Sequence, residues 1–376
     1  MREFNADLHI HIGSAGGHPV KITASRALTL EQVLFSAAPR KGIHIAGVVD
    51  AASTLVSAEI ERLLKTGFLA DNGVLLIAGS EVECREGAHV IAYLPGLYAL
   101  GQWQDFIRRH LKNMRLSTQK ADVPMAELMR VCGQWGGIFC PAHVFTPHKG
   151  AYGCAAERLA DLLGEQLAEL KVIELGLSAD TAMAGLISEC DRFTPLSNSD
   201  AHSADKVGRE YNLLELEQLS FRALKNALEG SGPGGLKANY GMDPRMGKYH
   251  RSYCPRCGHM ADAAQSVRRC PACGNEGIVM GVWDRILQIR DREAALGPVE
   301  RNYRYRVPLS ALPGVGPKAQ NALLAAGSEI EVLEAMEPAL IADLVNPKAA
   351  AHISAMRSGR LRISPGGGGK YGRVLP

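Results

Sequence analysis

Residues 1 to about 230 alternate short, β-rich apolar runs with helical patterns, and that alternation leaves few folds open. The apolar runs are 43–49, 74–77, 89–94, 137–140, 172–175 and 194–196. Between them, 29–38, 57–64, 103–114, 125–134, 155–163 and 221–228 carry apolar residues at helical spacing. Strands and helices taken in turn build a barrel or a doubly wound sheet. Both place functional residues at the carboxyl ends of strands.

Those ends carry metal-ligand chemistry. Asp7-Leu8-His9-Ile10-His11 precedes a glycine-rich turn, Gly13 to Gly17. Read as a strand, it puts Leu8 and Ile10 on one face and His9 and His11 side by side on the other. A lone His-x-His pair is often a surface accident, but this one has company. Asp50 closes the run 45–49, Glu81 and Glu83 follow 75–80, and His89 opens the next strand. His143 ends 136–142, and Asp200 with His202 follows 196–199. Mixed imidazole and carboxylate ligands suit zinc, manganese or iron, and so many at separate strand ends imply a multinuclear site.

The second half has a different character. The stretch 230–235, Gly-Ser-Gly-Pro-Gly-Gly, reads as a linker. Residues 237–306 hold thirteen Lys or Arg against seven Asp or Glu, whereas 1–236 is mildly acidic, which suggests an anionic partner held by one part while chemistry proceeds in another. In this basic section Tyr240, Arg245, Lys248, Tyr249 and Arg251 interleave rings with cations, a pattern that can pair with phosphates and stack on exposed bases. Its bland counterpart is a solvated loop. Of nine cysteines, Cys84, Cys132, Cys140, Cys154 and Cys190 are scattered. Cys254, Cys257, Cys270 and Cys273 form two Cys-x-x-Cys knuckles twelve residues apart, the spacing of a closed, structural zinc site. Residues 284–306 read as helical and then extended, with Arg285, Arg290, Arg292, Arg301, Arg304 and Arg306.

Further on, Pro313-Gly314-Val315-Gly316-Pro317-Lys318 resembles the helix-hairpin-helix of nonspecific DNA-binding proteins, in which Gly314 and Gly316 let backbone N–H groups approach a phosphate and Lys318 adds charge. An ordinary helical hairpin is the alternative. The expected divisions are a barrel at 1–232, a basic linker with the four-cysteine module at 233–285, a helical region at 286–360 and a flexible tail at 361–376. No run approaches the roughly 18 apolar residues of a membrane span and the start lacks a signal-peptide pattern, so the chain is expected to be soluble and cytoplasmic.

In their order, His9-x-His11, Asp50, Glu81, Pro141-Ala142-His143 and Asp200-Ala201-His202 resemble the motifs of the polymerase-and-histidinol-phosphatase (PHP) phosphoesterases. The longer strings 141–147 and 197–203, the latter followed by Gly208-Arg209-Glu210-Tyr211-Asn212, together with the basic four-cysteine segment, resemble endonuclease Q. That resemblance covers about residues 1 to 290. It implies an α/β fold with a distorted (β/α)7 barrel and a nuclease that nicks DNA 5′ to deoxyuridine, deoxyinosine or abasic sites, leaving a 3′-hydroxyl and a 5′-phosphate. It also implies two or three divalent metals (zinc, manganese, iron or magnesium), beside the zinc of the four cysteines. The ligand set would be His9, His11, Asp50, Glu81, His89, His143, Asp200 and His202, with His9, His11, Asp200 and His202 catalytic and Glu83 behind them. Damaged DNA is the implied partner, with a sliding clamp or other repair proteins beside it, and Arg209 joins the candidate DNA contacts. One departure stands out: the motif of Asp50 normally continues with a second ligand, but Ala51, Ala52 and Ser53 follow here. Asn198, two residues before Asp200, is expected to read the edge shared by uracil and hypoxanthine; the alternative is that it braces the ligand loop. The competing function is a PHP-type phosphoesterase for a small phosphorylated metabolite, and a weaker one is a noncatalytic nucleic-acid binder with a decayed site.

Overall fold

The structure, a computed structural model, describes residues 1–67, 73–261, 269–295 and 302–376. Ten strands build the barrel half: β1 (Arg2–Ile10), β2 (Ile45–Val48), β3 (Leu75–Glu83), β4 (His89–Leu94), β5 (Ile138–Pro141), β6 (Val172–Glu174), β7 (Thr194–Leu196), β8 (Tyr211–Leu216), β9 (Gly235–Gly241) and β10 (Tyr303–Tyr305). Eight of them form one curled sheet in the order β10-β9-β8-β1-β2-β3-β4-β5, and β6 pairs with β7 in parallel. Two sets of hydrogen bonds seat β6–β7 in the gap: Val144 N–H donates to Glu174 O, and the Asn212 and Asn239 side chains bond to Ser197 and Pro195. A distorted barrel results.

The strict alternation read from the sequence is broken where it matters for the site. β3 and β4 are an antiparallel hairpin, joined by a tight turn with no helix, so Glu81 and His89 meet across it. In β1 the pairing with β2 slips between Asp7 and Ile10. Leu8 and Ile10 therefore do not share a core: Leu8 packs with Ile45, Ile77 and Leu196, while Ile10 packs with Val33, Leu34 and Val56 under the outer helices. An irregularity of this kind re-aims side chains at a barrel rim.

The helices fit the apolar spacing with shifted ends. Met125–Gln134 falls where the pattern put it, 57–64 lengthens to Thr54–Lys65, and 103–114 moves to Leu97–Ile107. The expected helix at 155–163 shrinks to Ala160–Leu163 behind a single π turn, Ala151–Ala155. Phe221–Glu229 starts from a Ser220 cap and lays Leu224 and Leu228 over the Leu8 core.

The sheet runs on past the glycine-rich stretch: β9 begins at Gly235 and β10 lies at the far end of the helical Val282–Ile289 segment. Four helices follow, Pro317–Ala326, Glu329–Glu334, Pro338–Leu344 and Pro347–Arg357, around Leu323, Val332, Ile341 and Ile353. A buried ion pair fastens this body to the barrel. Lys41 Nζ lies 2.6 Å from Glu329 Oε2 and also donates to Asp205 O, just beyond the Asp200 loop. The tail, expected to be flexible, folds back instead: Ile363–Ser364 pairs with Arg373–Val374, and Val374 is buried in the helical core. Its glycines permit a close approach, since Gly366 and Gly372 N–H donate to the carbonyls of Arg245 and Met246. No helix among the described residues is long and apolar enough to cross a membrane.

Candidate active site

β1 delivers His9 and, one residue beyond its end, His11. β3 delivers Glu81, β4 opens on His89, and the loops after β5 and β7 carry His143 and the Asp200/His202 pair. Their ligand atoms form three groups, His9/His11/Glu81, His11/Asp200/His202 and Glu81/His89/His143, each within 4.8 Å. Glu81 and His11 are shared, so the groups make one cluster.

The surroundings aim those atoms. His9 Nδ1 is 2.9 Å from Glu174 Oε2, and His11 Nδ1 is 3.0 Å from Asp50 Oδ1. An imidazole that donates Nδ1–H to a carboxylate turns its Nε2 lone pair toward a cation. The two Nε2 atoms face each other at 3.3 Å, an arrangement that repels unless a positive charge lies between them. His89 Nδ1 is 3.1 Å and His143 Nε2 3.5 Å from Glu81 Oε1, and His143 Nδ1 is buried without a hydrogen-bond partner. A buried nitrogen without a partner is rare, and so many imidazole and carboxylate atoms turned on one another suit divalent ions. The residues therefore fit a metal cluster.

Backbone strain marks the same places. His143 (φ 31) and Asp200 (φ 45) hold left-handed conformations that side chains other than glycine rarely adopt. Gly176 (φ +85) is needed beside them, because a Cβ there would stand 2.9 Å from His143 Cβ. The electrostatics keep the carboxylates ionised. Burial alone would raise Glu81, but Lys21 and His89 beside it hold it well below the usual range. Asp200 is likewise lowered, with burial overcome by His11 and His9. Burial opposes charge at His9, yet the Glu174 carboxylate outweighs it and the pKa is raised well above the ordinary value. Burial and the neighbouring His11 push His202 down to about 4.

Asp50 stands apart from the three groups. Its Oδ1 accepts from His11 and Ser117, and its Oδ2 from Ile12 N–H, so it orients His11 rather than facing the cluster. Glu83 pairs with Lys149, 2.8 Å away. Glu174, absent from the ligand set expected from sequence, does for His9 what Asp50 does for His11; its signal is a lone acid closing the apolar run Val172-Ile173.

The four cysteines come together as expected, with Cys254 and Cys273 Sγ 3.7 Å apart and Cys257 and Cys270 Sγ 3.6 Å apart. The basic and aromatic residues before them divide. Tyr240 is buried on β9, stacked 4.6 Å from Tyr211 under Arg304, and has no face free for a base. Arg245 forks onto Asp243, and Arg251 onto the buried Asp284, which also accepts from Ser252 N–H. The first two are contacts within the barrel half, whereas Arg251 and Asp284 tie the chain just before the cysteine module to the Val282–Ile289 helix just after it. Lys248 and Tyr249 do reach the site. They line a cavity of about 710 Å³ whose other walls include Lys21, Lys149, Lys206, Arg209 and Tyr371 and whose floor is His11, Glu81, His143 and Asp200. Arg209 donates to Ser199 O and lies 5.8 Å from the Tyr371 ring, and Lys248 Nζ sits 4.9 Å from the ring of Tyr249. Tyr371 belongs to the tail that composition alone marks as flexible.

Asn198 also lines the cavity, with its carbonyl end spoken for. Its Oδ1 accepts from Leu8 N–H (3.0 Å) and Asn212 Nδ2 (2.9 Å), while its buried Nδ2 has no partner. Gly314 (φ +88) turns the chain into the Pro317–Ala326 helix, and its carbonyl accepts from Asn346, the cap of the Pro347–Arg357 helix. Gly316 has ordinary extended backbone with open space around it, and Lys318 follows in the first turn. Of the arginines noted at 284–306, Arg301 lies outside the described residues.

No protein-family model matches the chain. An uncharacterized Bacillus subtilis protein, YqxK, is 38% identical over all of both chains. An uncharacterized Methanocaldococcus jannaschii protein, MJ0043, is 35% identical over 54% of this chain and 28% of its own length. Among solved structures, the lesion-specific endonuclease PfuEndoQ from Pyrococcus furiosus is 30% identical with a TM-score of 0.85, over 99% of this chain and 95% of its own. Endonuclease Q bound to a 27-mer duplex with an abasic lesion at the active site is 30% identical at a TM-score of 0.84, over 100% of this chain and 97% of its own. Barrel, cysteine module and helical region are thus matched together, and the chain belongs to the endonuclease Q family.

Proposed function

We propose that the protein is a metal-dependent DNA endonuclease that recognises a damaged nucleotide and nicks the strand on its 5′ side, leaving a 3′-hydroxyl and a 5′-phosphate. The observation that carries this reading is the cavity of about 710 Å³ with the ligand cluster at its floor and Lys, Arg and Tyr in its walls. Cavities of roughly 300–1,000 Å³ bury drug-sized ligands, and one extruded nucleotide is of that size. Turning a nucleotide out of the stack costs a few kcal/mol and is cheapest where pairing is already poor, which favours lesions.

His9, His11, Glu81, His89, His143, Asp200 and His202 would hold two or three divalent ions, of zinc, manganese, iron or magnesium. Such ions supply a hydroxide near neutral pH and take up charge on phosphoryl oxygens. Glu174 and Asp50 fix the imidazole tautomers. The Lys and Arg walls draw in the phosphate backbone, Tyr249 and Tyr371 offer ring faces at the mouth, and the Asn198 amide donor points at the extruded base. Zinc bound to the four cysteines would hold the module whose two ends Arg251 and Asp284 tie together. A hydrolase for a small phosphorylated metabolite would have no use for this module or for the glycine turn beside Lys318.

The test is incision of labelled duplexes containing uracil, hypoxanthine, an abasic site or normal bases, with manganese present. Nicking confined to the lesion strands, abolished by Asp200→Ala with DNA binding retained, is the expected result. Turnover of a small phosphate monoester with no nicking would replace this reading with the metabolite one.

A further inference from the structure

The glycine-rich turn after His11 is a small hairpin, Ser14–Ala15 against His18–Pro19, whose return brings Lys21 N–H onto Ile12 O at the end of the first strand. Lys21 then reaches into the cluster. Its Nζ lies 3.1 Å from Glu81 Oε2 and 2.5 Å from Thr118 Oγ1. Thr118 in turn donates to Glu81 Oε2 (2.7 Å), and its neighbour Ser117 donates to Asp50 Oδ1. Thr118 holds a left-handed φ of 50 to do this, and Ser117 N–H is tied to Val20 O. Two segments far apart in the chain thus converge on one ammonium group.

We propose that Lys21 is a catalytic residue whose ammonium binds a nonbridging oxygen of the scissile phosphate, as a fixed cation at the edge of the ligand cluster beside Glu81. The inference rests on the nuclease reading above. Two of the three N–H donors of Lys21 meet Glu81 and Thr118, and the side chain lines the cavity, so the third is available to a substrate. Charge points the same way. Lys21 Nζ is 3.1 Å from Glu81 Oε2 in a largely buried place, and once divalent ions draw on the Glu81 carboxylate an anionic oxygen is what the ammonium would be left to meet. Preorganised cations of this kind act where charge develops on phosphoryl oxygens.

Lys21→Met and Lys21→Gln separate this from a structural role, since Gln retains an N–H donor for Glu81 and Thr118 but no charge. Both should lower single-turnover incision of a uracil duplex on the order of 100-fold, the typical loss for one preorganised donor. Bound metal per chain, read by mass spectrometry, should stay at the wild-type value, and affinity for the duplex should fall far less than the rate. Loss of metal in step with activity, or a rate within about threefold of wild type in either variant, overturns the proposal. Bis(p-nitrophenyl) phosphate keeps it apart from the nuclease reading. A wild-type protein that cleaves this diester but no damaged duplex sinks the nuclease reading and leaves Lys21→Met to be judged on the diester, whereas inertness toward both overturns both.

Discussion

Asn198→Ala separates recognition of the base from construction of the barrel. The amide is oriented without ambiguity, because Leu8 N–H can only be met by Oδ1, which leaves Nδ2 a buried donor without a partner in a residue that lines the cavity. From sequence alone Asn198 can both donate to and accept from a base; the structure leaves only the donor, which can meet the carbonyl of uracil or hypoxanthine but not the adjacent N–H. Truncation has two costs. Leu8 N–H, fully buried, loses its acceptor, and an unsatisfied buried group costs about 1–3 kcal/mol. Asn212 Nδ2 suffers less, since it also donates to the carbonyls of Ala6 and Ser197. Urea unfolding should therefore show a loss of about 2–4 kcal/mol once the small cavity is included. The second cost falls on the substrate: one hydrogen bond to the lesion, with its carbonyl left unpaired, is worth about 1.4 kcal/mol or tenfold. Single-turnover incision at uracil and hypoxanthine should fall about tenfold further than at an abasic site, which has no base edge and serves as the internal control for folding. Equal losses on all three substrates would assign Asn198 wholly to bracing β1 and refute base readout.

Three further outcomes are expected. Gly314→Val with Lys318→Ala should weaken binding to damaged and undamaged duplexes alike and flatten the salt dependence by about 0.9 for each phosphate no longer held, because Gly314 (φ +88) cannot accept a branched side chain without strain; a change in lesion preference alone would contradict the phosphate-binding role. Glu329→Ala leaves Lys41 buried without its partner and should cost about 3–5 kcal/mol in urea unfolding, most of it recovered in Lys41→Met/Glu329→Leu, and a single-variant cost under about 1 kcal/mol would show that the helical body is not fastened there. Glu210 is fully buried, and burial pushes its pKa from 4.5 up to about 8. The folded state therefore holds a proton that the unfolded state releases, so this group favours folding below about pH 4.5 and that advantage drains away as pH rises to about 8. Thermal melts of wild type against Glu210→Gln should diverge by on the order of 3 kcal/mol in favour of the variant between pH 5 and pH 9, and a constant difference would mean that Glu210 is ionised in the fold.

Local patterns are enough to bring His9, His11, Glu81, His89, His143, Asp200 and His202 to attention. Each ends or opens an apolar run, and in such folds strand ends converge whatever lies between them. The four cysteines are equally legible, because the spacing that closes a tetrahedral site is a property of a few consecutive residues. Tertiary structure alone decided what depends on distant partners. Glu174 meets His9 from 165 residues away, and Thr118 meets Lys21 from 97 residues away, distances at which no periodicity carries information. Asp50 looks like a ligand by its motif position, but the chain geometry after the β1 irregularity brings His11 Nδ1 and Ile12 N–H onto its two oxygens. Tyr240 looks like a stacking platform until strand pairing sets it against Tyr211. The tail looks unstructured because its glycines bury little surface themselves, yet those glycines let its backbone bond to Arg245 and Met246 and set Tyr371 at the mouth of the cavity. Ligand identity is thus written in residues close together in sequence, whereas ligand orientation and the walls of the site come from contacts that exist only once the barrel has closed.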